Sequence, residues 1–130
     1  MNRKLTLTIT SLLSILLFTF HWADEVGRGM ETPTLSGLFG IVILVVWLCG
    51  TLILADRRSG RVIMLVGGIF GLGVLVLHMS GPGYIGRRIA ADSSGAFFWA
   101  WTLISLGVVS TISAILSAYE LWSLRGGAPR

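Results

Sequence analysis

Charge is the first thing this chain lacks. Only 12% of its 130 residues are charged, about half of the roughly 25% of an ordinary soluble domain, while 54% are hydrophobic. Water is therefore not its main solvent. Cysteine is nearly absent as well: Cys49 stands alone inside an apolar run, which excludes an intramolecular disulfide and a Cys-x-x-Cys metal or redox motif. No Gly-x-Ser-x-Gly elbow marks a hydrolase nucleophile. No ionisable residue falls near the middle of an apolar segment, since Lys4, Asp56 and Glu120 lie at segment ends; that argues against an ion or proton relay crossing a whole bilayer. The net charge of +4 does not read as a nucleic-acid footprint, because the basic residues sit in short clusters flanking apolar runs, where membrane topology places them.

What is present is four apolar segments, about 5–22, 36–55, 62–79 and 96–121, within a chain long enough for one domain. Roughly twenty residues at 1.5 Å each cross the hydrocarbon, and helices are the open-ended structure that leaves no backbone group unpaired in lipid. The first segment follows Asn2, Arg3 and Lys4 as a secretory signal would, but His21 and Trp22 occupy the cleavage region and no Ala-x-Ala follows, so it reads as a retained span. The expected fold is an all-α four-helix transmembrane bundle of up-down topology. Arg3 and Lys4, then Arg57, Arg58 and Arg61, then Arg125 and Arg130 fall on one side, against Arg28, Arg87 and Arg88 on the other, which predicts that both termini are cytoplasmic. Trp22, Trp99, Trp101 and Trp122 fall where an interfacial aromatic belt is expected.

Helices in lipid associate by close backbone approach and interhelical hydrogen bonds. Gly67 and Gly71 form a Gly-x-x-x-Gly pair, flanked by Gly68 and Gly73. The fourth segment offers Ser110, Ala114 and Ala118, with Ser113 and Ser117, and the first offers Thr6, Thr10 and Ser14. These read as packing devices within the bundle or towards a protein partner or a second copy.

The polar residues that this reading does not absorb gather at one end. His21, Asp24 and Glu25 stand three and four apart and share a helix face. His78, with Met79 beside it, ends the third segment before Gly81-Pro82-Gly83 on the same predicted outward side. Two readings fit. In the plainer one, Asp24 and Glu25 pair with Arg28 at a charged helix end. In the other, His21, Asp24, Glu25 and His78 hold a divalent metal ion, imidazole and carboxylate suiting zinc, iron or copper; a bis-histidine haem, or a hydrolase using water bound to a metal on His21, Asp24 and His78, are versions of it. Tyr84, Arg87 and Arg88 read as a solvated outward loop.

Phe20-His21 followed by Asp24-Glu25 and Arg28-Gly29, then Leu54 with Arg57-Arg58-Ser59-Gly60, then Leu77-His78-Met79 and Phe97-Phe98-Trp99 together resemble a group of small uncharacterised bacterial membrane proteins with four predicted spans. The resemblance covers nearly the whole chain. It implies a bacterial inner-membrane location and carries no activity or catalytic residue. The expectation is a small polytopic membrane component in contact with the lipid bilayer, non-enzymatic and accessory to a partner, with metal binding as the alternative.

Overall fold

The computed structural model describes residues 2–27, 35–80 and 95–125. The expected outward loops, with Arg28, Gly81-Pro82-Gly83, Tyr84, Arg87 and Arg88, lie outside them, as does Arg130. The described residues form an all-α bundle of four helices: α1 (Arg3–Gly27), α2 (Leu35–Leu52), α3 (Arg58–Ser80) and α4 (Ala96–Arg125). Interhelical contacts give the up-down order. Arg3 meets Glu120 of α4 and His21 meets Thr102, so α1 and α4 are antiparallel. Ser11 meets Thr51 of α2, and Glu25 meets His78 at the end of α3. The most extensive pairing is α3 with α4, followed by α1 with α4, while α2 rests mainly on α3.

Three helices, α1, α3 and α4, are long and apolar enough to cross a membrane; α2 is apolar but shorter. The distribution of exposure on α1 agrees with an apolar surrounding. Its buried face carries Ser11, Ser14, His21 and Glu25 beside Leu7 and Phe18, and its exposed face carries Leu5, Ile9, Leu13, Leu16 and Phe20. A water-soluble helix has the reverse arrangement.

Local chemistry sets the helix limits. Asn2 caps α1, its Oδ1 accepting from the Lys4 amide at 3.2 Å, which satisfies one of the free amides of the first turn. Hydroxyls that would otherwise be stranded bond to their own helix: Thr6 donates to the Asn2 carbonyl at 3.2 Å, Thr10 to Leu7 at 3.1 Å and Ser14 to Thr10 at 2.9 Å. The second helix ends at Leu52, short of the expected residue 55, and α3 begins at Arg58, earlier than the expected 62. Between them the Arg57 amide bonds the Leu54 carbonyl at 2.8 Å. Gly60 crosses so close to the Leu54 and Gly50 carbonyls that a Cβ there would collide with backbone. Only glycine lets the chain turn this tightly.

The glycines of α3 serve two partners, where a single Gly67–Gly71 interface was expected. Gly67 lies under the indole of Trp47 from α2, whereas Gly68 and Gly71 face Ser110 and Ala114 of α4. Adjacent positions on a helix point about 100° apart, so one run of glycines opens two grooves. On α4 the buried stripe is Leu103, Leu106, Ser110, Ser113 and Ser117, and Ala118, expected at the interface, is exposed. Trp47, almost wholly enclosed, donates from Nε1 to Ser11 Oγ at 2.9 Å. Ser11 in turn meets Thr51 Oγ1 at 2.8 Å, and Thr51 donates to the Trp47 carbonyl at 2.9 Å. Since that leaves Thr51 as acceptor, the Ser11 hydroxyl donates to it, and the knot between α1 and α2 closes with its donors used.

Alanine at Gly68 should destabilise the bundle although alanine favours helix, because the new Cβ would lie 2.9 Å from backbone atoms of Ser110 and Ala114; overpacking of this kind costs about 1–3 kcal/mol. Alanine at Gly73, where nothing approaches within 4 Å, should be neutral or stabilising by up to about 1 kcal/mol. Thermal midpoints of the two variants in the same detergent check the opposite signs.

Candidate metal centre

At the end of the bundle where α1 and α3 finish and α4 begins, three side chains, one from each of these helices, converge on one carboxylate oxygen of Glu25. The extension of α1 to Gly27 puts His21 and Glu25 one turn apart on its inward face. Glu25 Oε1 lies 3.0 Å from His78 Nε2 and 3.6 Å from His21 Nε2, and accepts from Trp99 Nε1 at 3.1 Å. The imidazoles stand edge to face, their centroids 5.2 Å apart, with the Trp99 ring 5.5 and 5.6 Å from each. His21 is 1% exposed and Glu25 8%. The expected polar rim is thus an enclosed polar cluster.

The far nitrogens determine the protonation pattern. His78 Nδ1 lies 2.8 Å from the Val74 carbonyl, which can only accept, so Nδ1 carries hydrogen. The Thr102 hydroxyl is committed to the Phe98 and Trp99 carbonyls at 2.9 and 3.0 Å; it is therefore the acceptor in its 3.4 Å contact with His21 Nδ1. Both imidazoles are held through Nδ1 and both turn Nε2 to Glu25. This is how metal-ligating histidines are oriented by groups behind them. Two imidazole lone pairs and a carboxylate oxygen cannot share a buried site without a positive charge among them. A proton on His78 Nε2 would satisfy His78 and Glu25 but not His21, whose Nε2 is enclosed and has no hydrogen-bond partner among the described residues.

Of the four expected ligands, the structure brings together His21, Glu25 and His78, each offering one ligand atom within 4.8 Å of the others. Asp24 is half-buried and gives no atom to that group, since it points about 100° around α1 from Glu25. Met79 is exposed. Two residues escaped the sequence reading: Thr102, and Trp99, which was assigned to the interfacial belt but is 1% exposed. Their three-residue spacing on one face was the available signal. Beside the cluster, a cavity of about 260 Å³ opens between α1, α2 and α3, walled by Phe18, Trp22, Phe39 and Phe70 and reaching His21, Glu25 and His78.

The chain matches no protein-family model, no curated protein and no solved structure, so what the cluster does must be read from its own chemistry.

Replacing Glu25 by alanine should lower stability by about 2–4 kcal/mol, because it strands the Trp99 donor and removes the carboxylate that the buried imidazoles face. Chemical or thermal unfolding in detergent checks this. Asp24→Ala, outside the convergence, should cost less than half as much.

Proposed function

We propose that this protein is a metal-holding component of the bacterial inner membrane, with a divalent transition ion bound by His21 Nε2, His78 Nε2 and Glu25 at one end of the bundle. The observation that carries the proposal is the enclosed Nε2 of His21, turned towards Glu25 and without a hydrogen bond. A metal ion satisfies all three groups at once where a single proton satisfies two. Two imidazoles and one carboxylate are a recurrent donor set for zinc with a position left open. The separations of the two imidazole nitrogens from Glu25 Oε1, 3.0 and 3.6 Å, bracket the roughly 3.3 Å between ligands of a tetrahedral zinc, and all three ligand atoms lie within 4.8 Å of one another. Trp99, Thr102 and the Val74 carbonyl orient the ligands and do not compete for the ion. The cavity adjoining the cluster is where an exchangeable fourth ligand would reach it, and a bound zinc there would act as a Lewis acid on that ligand.

The excess of Arg and Lys at the opposite end supports a topology with both termini cytoplasmic and the metal cluster facing outward. The resemblance to small bacterial membrane proteins supports the location. An accessory role would use small-residue stripes and the outward loops to bind a partner or a second copy. Gly67, Gly68, Gly71 and Ser110 are buried within the bundle and serve its own packing, and the outward loops lie outside the described residues.

Protein purified in detergent should contain, or take up on titration, near-stoichiometric zinc, measured by mass spectrometry. The His21→Ala/His78→Ala variant should lose it. Glu25→Gln, which retains an oxygen to accept from Trp99, should weaken zinc binding by at least about tenfold for loss of an anionic ligand while remaining folded. A double variant that keeps stoichiometric metal, or a wild type that takes up none, sinks the assignment.

A further inference from the structure

The opposite end of the bundle holds a second cluster, independent of the metal centre. Arg61, in the first turn of α3, is 5% exposed. Its one ionic partner among the described residues is Glu120, with Nε 3.9 Å from Oε2, beyond hydrogen-bond distance. Glu120 is shared, for Arg3 Nε lies 4.0 Å from its other oxygen, and the Arg3 guanidinium also sits 4.9 Å over the Tyr119 ring. One carboxylate between two guanidiniums leaves positive charge uncompensated.

Arg61 also lines a cavity of about 160 Å³ between α1 and the α2–α3 turn, together with Lys4, Thr8, Asp56, Leu7 and Met64. Lys4 Nζ is 3.1 Å from Asp56 Oδ1, but the side chains are 58% and 86% exposed, and a pair that open to solvent holds weakly. An incoming anion can draw Lys4 away. Arg57 and Arg58 stand exposed beside the opening. The first turn of α3 contains no acidic residue, so nothing on it neutralises the positive end of the helix dipole. The lining is chemically split: Lys4 and Arg61 offer positive charge, while Leu5, Leu7 and Met64 are apolar; Leu5, and Leu52, Ile53 and Val62 on the neighbouring helix ends and turn, are also exposed. A buried arginine with spare donors and an exposed, weakly held lysine form a phosphate-binding set; exposed hydrocarbon beside it suits acyl chains.

We propose that this cavity binds the phosphate headgroup of an anionic phospholipid, with Arg61 and Lys4 on the phosphate and the acyl chains along the apolar surface of α1 and the α2–α3 turn. Basic pockets between membrane helices recognise anionic headgroups in this way. The shared chemistry is a phosphate ester; the lipid is the source we assign.

Native mass spectrometry of the detergent-purified protein, titrated with phosphatidylglycerol or phosphatidylcholine, tests it. Phosphatidylglycerol should bind preferentially, and Lys4→Gln should weaken it about fivefold. Arg61→Met combined with Glu120→Gln, which avoids stranding the carboxylate, should weaken it at least as much. Thermal midpoints establish that both variants fold, and Lys4→Gln, at an exposed position, reports even if the double variant does not. Equal binding of the two lipids, or phosphatidylglycerol binding unchanged in Lys4→Gln, overturns the proposal. Displacement of bound lipid by millimolar inorganic phosphate overturns the lipid as source and assigns the site to a soluble phosphate.

Discussion

The pairing of polar groups turned into the bundle, made between α1, α2, α3 and α4 at both ends and at mid-height, is the constraint that organises the rest of the molecule. With apolar side chains covering the outside of α1, the energy of bringing helices together does not come from hiding leucine and isoleucine. It comes from close packing and from matched donors and acceptors. Individually such bonds are weak between membrane helices, averaging about 0.6 kcal/mol, so their effect is mainly to fix which faces meet and at what height. Trp47, Ser11 and Thr51 fix α2 against α1; Glu25 fixes α1 against α3 and α4; Glu120 does so at the far end. The glycines then allow the backbones near enough for dispersion to contribute. Four buried side-chain atoms among the described residues are left unanswered, the hydroxyls of Ser110, Ser113 and Ser117 and His21 Nε2; of these only the imidazole nitrogen faces a carboxylate and a second imidazole, and for that reason it points to a function.

The four helices were legible in the sequence because hydropathy integrates over some twenty residues and tolerates local error. Their ends were less so. The shortening of α2 and the early start of α3 follow from the crossing of Gly60 over the Leu54 carbonyl, a contact between residues whose pairing no periodicity encodes. The glycine run of α3 announced close packing but not with what, since Gly67 and Gly68 are neighbours in sequence and face different helices. Ala118 fitted a four-residue repeat as well as Ser110 did; the curvature of one helix around another decides which repeat is buried.

In the candidate metal centre, spacing along α1 was enough to unite His21 with Glu25, and topology was enough to bring His78 to the same end. Asp24 was carried along because a three-residue and a four-residue spacing look alike until the exact direction of the helix face is known. Trp99 and Thr102 were invisible as participants, because their role depends on the height of α4 relative to α1. An aromatic near a span end has an ordinary interfacial explanation, and only the burial of Trp99 removes it.

The pairing of the first helix with the last has a consequence for synthesis. The inward face of α1, with Ser11, Ser14, His21 and Glu25, acquires much of its partner surface only when α4 has emerged, roughly seventy residues later. At about 5–20 residues per second, that leaves a carboxylate and an imidazole waiting several seconds beside the insertion machinery. The first helix is therefore the one whose inward face is completed last, so the bundle closes only with its final helix.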